Sequence, residues 1–546
     1  MVGSSGTDLF VVVGGGWSGL YALKYLLEEG LHAVLYEREP FIAGIWHYKD
    51  KSGGVYRSTH ATSSKTFMHA SDFPMPEKTC EFPSHEENLN YLKSYCEHFL
   101  LWPHIYLEHN VVNISHQNQT SQKWIVRLKN NEREEFEQIC DGVVICSGQH
   151  QTPSIPNDEI FKNFTGTFSH SFDYKYPLPE YYNKNILIVG GGETASDLAV
   201  ELSPVAKKVY MSIRNGQWFQ DRILGNQPAD IMYTMLMRIW SYYDNINVKI
   251  YKRCFVVTMW GQGGTGIPEW QPTSNFLHGF INKSREVVHK VAMGLVIPKR
   301  AILKIEENLV TFEPVPNHDR NDEESNLNSN SVRIDHILYC TGYRWNFPFF
   351  SAELEKEITV ERLYKLVFPV GLKKIAFVGT ARPVFGSIPA LAELQARWVS
   401  YVFKGKVTLP TQAKMLRSIH AYWKRHQRLY PHDHIRMKQL VNLFEFADVL
   451  GDEMGVRPNV VKLFFRHPFK WFKIYCASPW SPFLFRLGTI SSQAEKLAYR
   501  RHLECIPKPY QSFHRFNDLF ICAWASTIII TVTCVIIFIF VLAFKL

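Results

Sequence analysis

Two glycine-rich loops carry the residue spacings in this sequence that point most directly to a chemistry. Gly14, Gly15, Gly16, Trp17, Ser18 and Gly19 form G-x-G-x-x-G; Gly190, Gly191, Gly192, Glu193, Thr194 and Ala195 repeat it with alanine in the last small position. In such a loop the first glycine permits a tight turn. The second lets the backbone approach a pyrophosphate, and the third lets the following helix lie close to its strand. The helix N-terminus then offers free N–H groups and the positive end of its dipole to the phosphates. At the end of the next strand the first unit has an acid, Glu37, and the second an arginine, Arg214. A carboxylate there accepts hydrogen bonds from a free ribose diol, whereas a guanidinium suits a 2′-phosphate. The first loop therefore reads as an FAD site and the second as an NADPH site. Two such sites in one chain imply hydride transfer from NADPH to flavin.

These loops need strands and helices in a fixed order. Leu9–Val13 is an apolar strand running into the first loop, a helix follows to about Glu29 and stops at Gly30, and HAVLYE is a second strand ending at Glu37. Ile186–Val189, a helix over 194–202, and a strand ending at Arg214 repeat the plan. Cys146-Ser147-Gly148 and Cys340-Thr341-Gly342-Tyr343 each end a further buried strand at small residues, where the chain can leave a sheet near a cofactor. The strand in KKIAFVG is followed by a helix starting after Gly386, whose N–H groups can be aimed at a flavin. The expected fold is α/β, with two Rossmann-like dinucleotide-binding domains. An FAD domain is built from 1–151 and 331–445, and an NADP domain is inserted at 152–330. The latter carries an apolar insert at about 222–299, and the polar segment Pro314 to Ser331 reads as an exposed loop.

The 546 residues suffice for two or three packed domains. Net charge is +9, but neither zinc-finger spacing nor a Lys/Arg-rich run directs that charge to nucleic acid. None of the ten cysteines forms a CxxC pair, the pattern of ordinary thiols in a reducing compartment. No signal-peptide pattern precedes the first loop, and no metal-ligand spacing appears. The C-terminus is different. Residues 519–544 are uncharged, long enough for a bilayer that needs about 20, and read as a C-terminal transmembrane helix, a tail anchor that leaves the catalytic part in the cytosol. A membrane-proximal region at 446–515 precedes it. In that region VKLFFRHPFKWFKIY (461–475) mixes Arg466, Lys470 and Lys473 with aromatics, as a membrane interface would, although a helix packed on the catalytic core fits too.

Between the loops, FTGTFSHSFDYK (164–175) has neither strand alternation nor helical periodicity. It resembles the F-x-G-x-x-x-H-x-x-x-Y/F signature of the flavin-containing monooxygenases through Phe164, Gly166, His170 and Tyr174. Further family features are AGIW (43–46), SSK…M…SDFP (63–74), CTGY…FPF (340–349) and ELQARW…VFKG (393–405), in order along nearly the whole chain.

The resemblance implies a mechanism. NADPH reduces FAD, O2 adds to give a C4a-hydroperoxide, bound NADP⁺ shields it, and a sulfur or amine nitrogen of a lipophilic substrate attacks the distal oxygen. No acid–base pair or covalent nucleophile is required; water must be excluded. The cofactor-binding set expected is Gly14 to Gly19, Glu37, Gly44, Ile45, Trp46, Thr62, Ser63, Ser64, Gly190 to Ala195, Arg214 and Gly342. The 164–175 stretch would lie at the domain junction, with His170 as an orienting group. Two positions depart from the family. Thr62, expected at the catalytic position, stands where the animal enzymes usually have asparagine, and its single hydroxyl satisfies fewer partners. Glu193 stands where the second loop usually has asparagine. Thr62 therefore leaves open Baeyer–Villiger insertion or net NADPH oxidase activity on the same cofactors. A disulfide reductase is excluded by AGIW where a redox cysteine pair would be needed. The resemblance also implies an endoplasmic reticulum location. The partners expected are O2, the substrate and a lipid bilayer, with a homo-oligomer allowed.

Overall fold

The computed structural model describes residues 8–117, 123–156, 159–224, 227–232, 266–272, 280–315, 330–430, 435–457, 459–468, 471, 481–486 and 500. Two five-stranded parallel sheets organise them. The first runs in the order Ile375–Phe377, Gly142–Ile145, Leu9–Val13, His32–Tyr36, Ile105–Tyr106. The second runs Val296–Lys299, Lys208–Ser212, Asn185–Val189, His336–Tyr339, Thr167–His170. Their central strands are apolar almost without interruption because both faces are covered, as parallel sheets require. Val11, Val12, Leu187 and Ile188 are fully buried. Each domain also carries a three-stranded antiparallel sheet: His109–His116, Trp124–Asn130 and Glu135–Cys140 in the first, and Ile302–Glu306, Leu309–Phe312 and Ser331–Arg333 in the second.

The chain crosses between domains twice, and the two crossings lie side by side. Thr152–Pro153 on the way out pairs antiparallel with Tyr343–Arg344 on the way back. The return therefore falls later than the expected 331. Ser331–Arg333 and His336–Tyr339 are hydrogen-bonded into second-domain sheets, His336–Tyr339 directly against Ile186–Val189. The exposed loop expected at 314–331 falls mostly on residues 316–329, which lie outside the described set, and Ser331 already belongs to a strand.

The helix Trp17–Glu28 packs on the helix Ile388–Phe403, whose Trp398 is fully buried, and Phe10 stacks on Phe403 at 5.0 Å. The region from 446 onward begins inside this same core: Phe446, Ala447, Leu450, Leu484 and Phe485 belong to the cluster that holds Leu20, Leu23 and Trp398. The first domain thus runs past the expected 445. Among the described residues no helix is long and apolar enough to cross a membrane, and the expected tail at 519–544 lies outside them.

Candidate functional site

The first loop has the geometry its glycines allow. Gly14 sits at φ +104°, and a Cβ there would come within 2.6 Å of the Cys146 carbonyl oxygen. Gly16 is the N-cap of the Trp17–Glu28 helix and contributes no capping side chain, so the first-turn N–H groups face the cavity without a side-chain acceptor. Gly19 would place a Cβ 1.8 Å from the Gly14 carbonyl oxygen, so only glycine lets this helix lie against its strand. Glu37 is held firmly: its carboxylate accepts from the Gly15 N–H at 2.6 Å and the Glu39 N–H at 3.0 Å. Burial raises its pKa against the pull of those two N–H groups and of Arg38.

The second loop repeats this geometry. Gly190 has φ +138°, and its Cβ would lie 2.4 Å from the Cys340 carbonyl oxygen. Gly192 is an N-cap without a side-chain acceptor for the helix Glu193–Leu202. Four of the other described helices are closed by their own side chains: Ser84, Ser351, Ser387 and Asn442 each accept a first-turn N–H. The two glycine-capped helices are left open where anionic groups would sit. Arg214 lies exposed at the end of its strand, on the same cavity wall.

One cavity of about 1460 Å³ joins the two loops. It exceeds the ~300–1,000 Å³ of an ordinary small-molecule site and has room for two dinucleotides. Gly14 to Ser18, Glu37, Gly44, Ile45, Trp46, Thr62, Ser63, Gly190 to Thr194, Arg214 and Gly342 line it. Gly19, Ser64 and Ala195 stand behind the wall. Gly19 and Ala195 are packing positions. Ser64 is fully buried, with its N–H bound to the Asp230 carboxylate at 2.6 Å. Glu193 does face the cavity, and Arg382 from the first domain lines it too. Burial lowers the Arg382 pKa, and the Glu193 charge opposes that shift only in part.

The 164–175 segment spans the junction of the domains. Thr167–His170 is an edge strand of the second sheet, and Ser171 and Phe172 line the cavity. The Lys175 ammonium donates to the carbonyls of Gly53 and, at 3.1 Å, of Val55 in the first domain, and the Gly53 N–H donates to the Phe172 carbonyl at 2.8 Å. Burial lowers Lys175 to about 8. His170 is buried, its pKa lowered by that burial, and its Nδ1 accepts the Phe172 N–H at 3.0 Å. It orients the segment as a neutral ring. Gly166 is required by a close turn, since a Cβ would meet the Phe164 ring at 2.4 Å and the Asp335 carbonyl oxygen at 2.7 Å.

The sequence reading missed residues that the 222–299 insert brings to the site. The Asn282 amide donates to the Gly191 carbonyl at 3.0 Å and to Ser196 Oγ at 2.8 Å, bracing the second loop. The Lys283 ammonium crosses to the first domain, reaching Ser63 Oγ at 3.2 Å and the Gly386 carbonyl at 3.4 Å. Burial raises Asp230 above the usual carboxylate range against the pull of Lys283. No periodicity or spacing singles out an asparagine and a lysine in FINKS, because their partners lie about 90 to 220 residues away in sequence. Of the 222–299 insert, residues 225–226, 233–265 and 273–279 lie outside the described residues.

Comparison with known proteins places this geometry in a family. A family profile described as Flavin-binding monooxygenase-like matches residues 8–542. The chain is 30% identical over 487 residues to flavin-containing monooxygenase 5 of Rattus norvegicus, covering 87% of this chain and 88% of that one. It is 30% identical over 498 residues to dimethylaniline monooxygenase [N-oxide-forming] 2 of Mus musculus, with 87% and 88% covered. Among solved structures, S-allyl-L-cysteine S-oxygenase from Allium sativum superposes with a TM-score of 0.61 at 22% identity, covering 91% of this chain and 99% of that one. OTEMO in complex with FAD and NADP gives 0.59 at 14% identity, with 82% and 98% covered. At these identities the structural likeness speaks to the fold.

Proposed function

The chain belongs to the flavin-binding monooxygenase family and is an oxidoreductase that uses FAD and NADPH; from that premise we propose that it oxygenates a sulfur or amine nitrogen of lipophilic molecules. The reaction balances as substrate plus O2, NADPH and a proton giving the S- or N-oxide, water and NADP⁺. The observation that carries the reading is the single cavity onto which both open glycine loops face. A relative whose name states N-oxide formation supports the substrate class.

When bound, FAD passes the electrons of NADPH to O2 and supplies the activated oxygen. The protein's part is holding and shielding. Gly14, Gly15, Gly16, Trp17 and Ser18 would take the FAD pyrophosphate on the open helix end, and Glu37 the ribose of its adenosine half. Gly190 to Thr194 would take the NADP pyrophosphate, with Arg214 on the 2′-phosphate. Gly44 to Trp46, Thr62 and Ser63 line the remaining wall. Apolar side chains such as Ile45, Trp46, Met68 and Val384 exclude water there. The neutral His170 fixes the junction and moves no proton.

The test is product analysis on the purified full-length protein with a thioether, a tertiary amine and a cyclic ketone, counting NADPH against product and peroxide. Sulfoxide or N-oxide near one per NADPH is the expected result. Ester from the ketone would replace the reading with Baeyer–Villiger chemistry. Peroxide matching NADPH, with no oxygenated product, would make the protein an oxidase and point to Thr62, with Thr62→Asn as the next variant.

The same proposal extends to location. The 519–544 run would anchor the chain in a membrane, the endoplasmic reticulum by family expectation. The helix Val460–Arg466 supports it by presenting Val461, Phe464 and Phe465 to solvent beside Arg466. Full-length protein should stay with membranes in alkaline carbonate, and a chain ending at 518 should be released; equal release of both would end the anchor reading.

A further inference from the structure

Lys283 raises a question that the dinucleotide loops do not answer. It comes from the second domain, immediately after the strand Ile281–Asn282, yet its ammonium is bound to the first. There it meets Ser63 Oγ at 3.2 Å and the Gly386 carbonyl at 3.4 Å, and Ser63 Oγ itself donates to that same carbonyl at 2.7 Å. An ammonium has three donors. Two are used on these partners, and the residue lines the cavity, so one N–H and the charge remain for what the cavity holds. The place is specific. Ser63 follows Thr62, and Gly386 immediately precedes Ser387, the cap of the helix Ile388–Phe403, whose positive dipole end lies at the same wall. Lys283 lies close enough to the buried Asp230 for the two charges to act on each other, and Asp230 also fixes the Thr62–Ser64 stretch through the Ser64 N–H at 2.6 Å.

We propose that Lys283 is a cofactor-contacting residue, reaching from the second domain to place a hydrogen-bond donor and a positive charge against the flavin ring beside Thr62. A threonine hydroxyl brings one donor to this edge, and the lysine makes up the deficit from the opposite domain. Reduction by two electrons and one proton leaves the ring anionic. A fixed cation beside it in a water-poor cavity therefore favours the reduced form over the oxidised one. The inference rests on the reading that this cavity holds FAD.

The test is the midpoint potential of the FAD-loaded protein, from dye-coupled reductive titration without NADP⁺ or substrate. Lys283→Met should hold reduced FAD about tenfold less tightly relative to oxidised FAD, a potential about 30 mV lower for a two-electron couple. Lys283→Arg should stay near the parent. An unchanged potential in Lys283→Met with full FAD content overturns the assignment while leaving the proposed function intact; a parent protein that never carries FAD overturns both. If Lys283→Met purifies without FAD, binding rescued by arginine but not by Lys283→Gln supports the charge, and equal loss in both variants refutes it.

Discussion

Arg486→Ala is expected to destabilise the protein by about 3–5 kcal/mol, the typical cost of leaving buried charges without their partner. The guanidinium of Arg486 donates to the Asp72 carboxylate at 2.8 Å, to the Tyr25 hydroxyl at 2.6 Å and to Ser71 Oγ at 2.6 Å. Tyr25 in turn donates to Glu393 at 2.6 Å, and Glu393 also accepts the Ser71 N–H at 2.8 Å. Lys24 supplies a second cation to Asp72 at 2.6 Å. Burial alone would raise Asp72, but Arg486 and Lys24 outweigh it and hold the carboxyl below its usual range. Glu393 is raised, by burial first and by the nearby Asp72 charge second. Without Arg486, Asp72 loses one of the two cations described beside it, Lys24 remaining, and Glu393 faces Asp72 without that guanidinium. The network ties residues 481–486 to the helices Trp17–Glu28 and Ile388–Phe403 and to the Ser71–Asp72 turn that follows the Thr62–Ser64 wall of the cavity. Thermal unfolding should therefore show a drop on the order of 10 °C, with FAD content falling alongside. A loss below about 1 kcal/mol would mean that this contact is a surface-like pair of little consequence.

The second large effect separates the two loops. Gly190→Ala should raise the dissociation constant of NADP⁺ by more than ~100-fold, equivalent to about 3 kcal/mol of strain and displacement, while FAD remains bound. Gly190 occupies φ +138°, where an L side chain is strained, and its Cβ would come 2.4 Å from the Cys340 carbonyl oxygen. That backbone follows the strand His336–Tyr339 and is held in place by the Cys340 N–H, which donates to the Val189 carbonyl at 2.9 Å. Gly14→Ala makes the mirror-image change against Cys146 and should cost FAD instead. Arg214→Gln should weaken NADP⁺ by about 10–100-fold, the range of a charge-assisted contact, and leave the weaker NAD⁺ binding unaltered. Equilibrium titration of each variant against both nucleotides reads all three. Parent-like NADP⁺ binding by Gly190→Ala would remove the second loop from the nucleotide site.

Much of this protein is legible locally. The order of strand, glycine loop, helix and strand is determined within about 30 residues, because tight turns, helix starts and strand ends are short-range events. That range contains Gly14 to Gly19 and Glu37, and again Gly190 to Ala195 and Arg214, and the structure turns all but Gly19 and Ala195 of these toward one cavity. The same locality explains what was not legible. Whether Ser331–Arg333 and His336–Tyr339 belong to the first or second domain depends on pairing with strands far away in the chain, and only the sheet decides it. Whether 446 onward is an appendage or core depends on which faces Phe446 and Leu450 find, and they find the long helix of the first domain. Glu393 reads in sequence as part of a family motif, yet its partners Tyr25, Ser71 and Arg486 come from three distant segments. Lys283 and Asp230 are ordinary residues until folding carries them across the cleft to Ser63 and Ser64. A charge acquires its meaning from what lies within a few ångströms of it. Spacing in sequence can specify a turn or a helix face; neighbours drawn from separate domains are specified only by the packing that brings those domains together.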